Sequence, residues 1–331
     1  MAGESTVVGS GAEAQAAVVA KRLDWVDAAK GIGIITVVIA HVWTRGPVRD
    51  FIYSFHMPLF FLLSGYMFRP RPMAQFLPRL AQGMAIPYAA FLLSLALFDW
   101  GFESLRGNHP IFRDAADALW RLTVGGSELR GPFTIFWFAP CLFFARIIQN
   151  FIAGYWPDPR DWRWCAVGLT AFVIGWALGL ASDFSPLGLL SMPVAVGLLW
   201  VGALWRTVEP DRRLIAVAAM ASVAVIVAGA TWGPVPLNMK VGDYGVPALS
   251  LAGAVALSLA LGGIARLADW NPLCALGRMS LVIMYVHVAV IHYAAPYASK
   301  PLLLLAALAF PIVLDRLFSK NATSRRLFLG Q

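Results

Sequence analysis

The chain has 331 residues, 59% apolar and only 13% charged, about half the charge content of an ordinary soluble domain. Its net charge of +8 comes from basic residues scattered between apolar runs, which argues against a nucleic-acid-binding face and for membrane orientation. Cys141, Cys165 and Cys274 are too widely spaced for a disulfide framework or a metal site.

Residues 1–20 are small, polar and slightly acidic, with no basic start, and read as a disordered cytoplasmic leader rather than a cleavable signal peptide. Ten apolar segments follow, at about 26–43, 52–68, 83–99, 132–149, 163–181, 187–205, 213–231, 245–265, 279–297 and 301–318. Most are separated by breakers such as Gly46-Pro47, Pro70 and Pro72, and Pro157 and Pro159. The expected fold is all-α: a polytopic membrane helical bundle over residues 21–320, with a cytoplasmic tail at 321–331. Of the 26 Lys and Arg residues, 18 fall on one side of this topology and 8 on the other, which places both termini in the cytoplasm. No fixed-period repeat is visible, as duplicated transporter halves would show.

The first segment carries Asp27, Lys30 and, after GIGIITVVIA, His41. Eleven residues at about 100° each make three turns plus roughly 20°, so Lys30 and His41 share a helix face about 16 Å apart. The plain reading of a buried histidine is a hydrogen bond across helices. Two costly groups on one stripe favour function instead: a cation near the cytoplasmic face and a proton-transfer group further out. Asp27, three residues before Lys30, is placed to pair with the ammonium and hold it in position.

The second segment, Phe55 to Pro70, starts with His56 at a similar outer depth. Pro58 lies early in it, and Ser64-Gly65 forms a smooth patch for a helix or ligand. Arg69 and Arg71 follow at the cytoplasmic end; singly they read as topological charge, together as a phosphate-binding surface. In the long 100–131 loop, Phe112, Ala115, Ala116, Leu119 and Leu122 recur at helical spacing, as in a helix lying on the outer surface. Trp137 reads by default as an interfacial aromatic. In Leu276–His287, Ser280 and His287 share a face while Tyr285 points elsewhere. The sequence lacks HExxH, a Walker-type loop and GxSxG, so nothing in it suggests a metal, nucleotide hydrolysis or an acyl-serine.

These stretches resemble membrane-bound acyltransferase family 3, most nearly its fucose 4-O-acetylase-like branch. The family carries a basic residue, ten residues and a histidine in its first helix, here Lys30 and His41; many members have arginine where this chain has Lys30. Its FHMPLFF…SG stretch is matched at Phe55–Phe61 and Ser64-Gly65, its Trp-Phe pair at Trp137-Phe138, and its late LG(K/R)xS…Y…H stretch at Leu276–His287. The resemblance spans most of the chain. It implies a multi-pass protein of the bacterial inner membrane that transfers an acyl group, usually acetyl, from cytoplasmic acyl-CoA to a hydroxyl of a sugar or glycan. Acyl-CoA would be a co-substrate, with no bound cofactor or metal. On this reading His41 is the general base, with Lys30 and the arginines anchoring the donor. His56 and His287 orient groups or stabilise the oxyanion, and Asp27, Ser64, Trp137, Ser280 and Tyr285 support the site. The competing readings are a transporter or flippase using the same buried groups, and an inactive assembly factor.

Overall fold

A computed structural model describes residues 7–208, 212–232, 237–246, 248–267 and 270–331. Among these residues there is no strand, only an isolated bridge between Asn238 and Asp243. The helices are α1 (Val7–Val42), α2 (Pro47–Tyr53), α3 (His56–Met67), α4 (Met73–Leu80), α5 (Ile86–Leu105), α6 (Ala115–Val124) and α7 (Phe138–Tyr155). Beyond them come α8 (Trp162–Ala181), α9 (Met192–Val208), α10 (Arg212–Trp232), α11 (Leu249–Ala265), α12 (Asn271–Arg278), α13 (Ser280–Ala294) and α14 (Lys300–Phe318).

Each apolar segment of the sequence contains a helix, but not every one is a full span. Six helices among the described residues are long and apolar enough to cross a membrane, and a seventh if α12 and α13 count as one bent span. The apolar part of α10, Ile215–Gly229, and α11 are shorter. The segment expected as one helix over 52–68 breaks at Ser54-Phe55 into α2 and α3, and Pro58 falls in the first turn of α3, where its missing N–H costs nothing. Helix α1 extends back to Val7, through most of the stretch that reads as a disordered leader; its Ala, Glu and Gln residues are strong helix formers. The span expected at 83–99 lies within a longer helical run, Met73–Leu105, in which α4 passes through a π-helical turn at Ala81–Ala85 into α5.

Burial divides the bundle into a centre and a rim. The apolar windows of α1, Gly131–Tyr155 and Pro186–Val208 are 61, 61 and 56% buried, against 17% for α14. Helix α3 is apolar all round and central: His56, Met57, Pro58, Leu59, Phe61, Leu62, Leu63 and Gly65 are buried. Gly65 lies against the carbonyl of Leu199 in α9, so the Ser64-Gly65 patch accepts a helix.

Two close approaches fix the neighbours of α1. A Cβ on Gly31 would collide with the Leu273 carbonyl oxygen, and one on Gly277 with that of Asp27, so α12 lies backbone to backbone on α1. Just after Gly277 the chain bends by 76° into α13. The Leu276–Ser280 stretch is therefore a corner. It places α12 against one end of α1 while α13 carries His287 to the other.

Helix α6 is present on the 100–131 loop, capped by Asp114, whose side chain accepts from Asp117 N at 2.8 Å. Ala118 and Leu122, one turn apart, pack inward, while Leu119, expected on the apolar face, is 70% exposed. The tail does not dangle: Phe328 stacks on Phe318 at 4.3 Å and meets Phe91 edge-on.

Candidate functional site

At the far end of α1, two imidazoles meet. The rings of His41 and His287 are edge to face, with centroids 5.1 Å apart. His287 is fully buried and its Nδ1 lies 2.7 Å from Ile283 O; His56, 3% exposed, sets Nδ1 2.9 Å from Ile52 O across the α2–α3 break. A carbonyl oxygen can only accept, so both Nδ1 atoms carry a proton, and in the neutral ring the lone pair is on Nε2. His287 Nε2 is buried with no partner among the described residues. His41 differs: it is half-buried and makes no hydrogen bond to a described residue, so it is the imidazole a ligand can reach.

Two cations stand close enough for their charges to act on His41, Arg49 and Lys240. Arg49 lies 4.0 Å over the Tyr53 ring and pairs with Asp50 at 3.0 Å. Lys240 comes from the short 3₁₀ turn Met239–Val241 and donates to Leu129 O at 3.0 Å and to Thr134 Oγ1 at 2.5 Å. Burial pushes its pKa down to about 8, and the Arg130 charge adds to this.

The other end of α1 holds an ion-pair chain. Lys30 Nζ is 3.1 Å from Asp27 Oδ1, Asp27 Oδ2 is 3.7 Å from Arg278 Nη1, and Arg278 reaches Asp24 at 3.9 Å. The end of α3 lies beside it, because Tyr66 meets Trp25 at 4.9 Å. After α3, Arg69 and Arg71 are exposed. The backbone of Arg71 is clamped by Asn150, which accepts from its N–H at 3.0 Å and donates to its carbonyl at 2.9 Å. Arg206 donates to Phe68 O at 3.0 Å. The arrangement is a titratable cluster at one end of a helix and a basic, ion-paired surface at the other.

A family model described as an acyltransferase domain matches residues 23–314. The chain belongs to acyltransferase family 3. No curated protein and no solved structure matches it. With several apolar helices of spanning length, this acyltransferase is a multi-pass membrane protein.

Of the residues singled out in its sequence, the acyltransferase brings His41, His56 and His287 to one end and Asp27, Lys30, Arg69 and Arg71 to the other. Tyr285 is apart, stacked on Phe91 at 4.9 Å and beside Phe136 at 5.0 Å, with its hydroxyl unpartnered among the described residues. Trp137 is only 4% exposed, packed beside Phe138 at the end of the 3₁₀ turn Gly131–Trp137 rather than at an interface. Ser64 and Ser280 are half-buried, and no hydrogen bond links either side chain to the histidines. Arg49 and Lys240 escaped the sequence reading. Arg49 lies in the short helix α2 and Lys240 in the Met239–Val241 turn, and only the fold shows that their charges act on an imidazole.

Proposed function

We propose that this protein is an integral membrane O-acyltransferase that moves an acyl group, acetyl by the branch it resembles, from acyl-CoA to a hydroxyl of a sugar or glycan. On this reading it lies in a bacterial inner membrane, with its Lys30 end and both termini in the cytoplasm. The observation that carries it is His41, half-accessible and beside His287, on the same α1 stripe as Lys30 in a family 3 chain.

His41 takes the proton of the acceptor hydroxyl as its oxygen attacks the thioester carbonyl. The tetrahedral oxyanion collapses, the C–S bond breaks and CoA leaves as the thiolate, which takes up a proton. The tautomers of His56 and His287 refine the expected roles. A neutral imidazole with Nδ1–H tied to a carbonyl offers only an acceptor at Nε2, so neither stabilises an oxyanion by donating from that nitrogen. They suit orientation of a donor N–H or O–H, including that of His41. Charge for the oxyanion is better supplied by Lys240 or Arg49. Lys30 and the Arg69–Arg71 surface serve the anionic donor.

His41→Ala should lower acyl transfer by about a hundredfold or more in membranes with normal protein level, measured as free CoA released from acetyl-CoA with a sugar acceptor. Full activity in that variant sinks the mechanism. A wild type that releases no CoA but moves the sugar across vesicles points to a transporter.

A further inference from the structure

A cavity of about 230 Å³ opens among the ends of α3, α7, α8 and α9, on the side of the bundle that carries Arg69 and Arg71. Its walls include Phe68, Trp164, Trp200, Gln149, Ala203 and Arg206. This is smaller than a typical pocket for a drug-sized ligand, so it holds one ring system rather than a whole large cofactor.

The wall chemistry narrows the ring. Both indole N–H groups are already used, Trp164 on Trp156 O at 2.7 Å and Trp200 on Pro159 O at 2.9 Å, so these two buried indoles give the wall apolar carbon rather than donors. Aromatic carbon of this kind takes a planar, sequence-indifferent partner such as a nucleobase. Gln149 is 1% exposed; its Nε2 donates to Leu199 O, and its Oε1 has no partner among the described residues. A buried amide oxygen left unmet is costly, and it accepts from an N–H of a guest. The cations complete the pattern. Arg206 is a wall residue, and Arg69 and Arg71 alternate along the chain with the wall residues Phe68 and Pro70. Among the described residues neither of these two exposed arginines pairs with a carboxylate, and Asn150 holds the Arg71 backbone in place.

We propose that this cavity binds the adenine ring of the acyl-CoA donor, with an exocyclic N–H on Gln149 and the phosphates toward Arg69 and Arg71. The assignment rests on the acyl-CoA reading above and adds where the nucleotide end docks.

The test is CoA binding to the purified full-length protein in detergent, followed by calorimetry and tryptophan fluorescence. Wild type binds CoA, and adenosine 3′,5′-bisphosphate alone displaces it and quenches the same fluorescence. Ala203→Phe, which fills the cavity, weakens CoA binding at least tenfold with an unchanged melting temperature. Gln149→Met, nearly isosteric, weakens it several-fold and supplies the answer if the larger side chain impairs folding. CoA binding with no displacement by the bisphosphate, or with both variants matching wild type, overturns the adenine site and leaves the donor reading standing. No CoA binding by the folded wild type overturns both.

Discussion

A neutral imidazole that donates from Nδ1 to a carbonyl has one chemical option left, a lone pair on Nε2. His56 and His287 each place Nδ1 on a carbonyl, whereas His41 makes no hydrogen bond to a described residue and is open to a guest. The three histidines therefore differ in role through their helices' carbonyls rather than through their own chemistry. Lys240 is the residue whose titration is most exposed to test. Its pKa is about 8 in the fold against an ordinary 10.5, so between these values the unfolded chain binds more protons and stability rises with pH. Below pH 8 both states are protonated and the burial cost is present in full. Melting temperature should climb between pH 8 and 10, and Lys240→Met should remove that part of the slope; an identical slope in the variant refutes the assignment. The α1 stripe was legible because the spacing of Lys30 and His41 is a property of one helix. Lys240 was not, because its neighbours Thr134 and Leu129 lie more than a hundred residues away in the chain.

At the scale of elements, the contact of α1 with α12 governs both ends of the site. Gly31 and Gly277 let the two backbones touch, and Asp27 binds Lys30 on its own helix and Arg278 on the other. Gly277→Val should push α12 off α1, cost about 1–3 kcal/mol from overpacking, and lower transfer activity by displacing Asp27 and the corner into α13. Gly154→Ala is the control, since a Cβ there meets open space. Equal melting temperatures for the two variants refute the wedge. Sequence pattern recovered the long apolar helices and their Pro and Gly boundaries. It missed α12, because eight residues interrupted by Pro272, Gly277 and Arg278 carry no membrane-length signal. It also ran through the break before α3, since Ser54-Phe55 contains no breaker residue.

For the whole molecule, the count of spans decides where the termini lie. An even count, six or ten, places both on one side; seven places them on opposite sides. Counted on ten segments, the bias of 18 basic residues against 8 gives the expectation that both termini are inside, while four of those segments are short or broken. Reporter fusions at each end should both read as cytoplasmic, and a cysteine replacing His109 in the long loop should react with an impermeant thiol reagent from outside. Opposite readings for the two termini reject the ten-span topology. Short helices such as α3 and α11 need not span alone, because the central ones are sheltered by neighbours rather than by lipid.

Sequence by itself determined that this chain is a helical membrane protein, where most of its helices begin and end, and that Lys30 and His41 share a stripe. Those properties depend on local periodicity, side-chain transfer costs and backbone breakers, all of which act over a few turns of one helix. Only the tertiary structure decided which polar groups meet. It set His287 against His41, brought the Lys240 charge within reach of His41, turned Tyr285 and Trp137 into the aromatic core, and tied Asp27 to Arg278. Such meetings depend on how helices cross and where glycines let backbones touch, and no single segment carries that information.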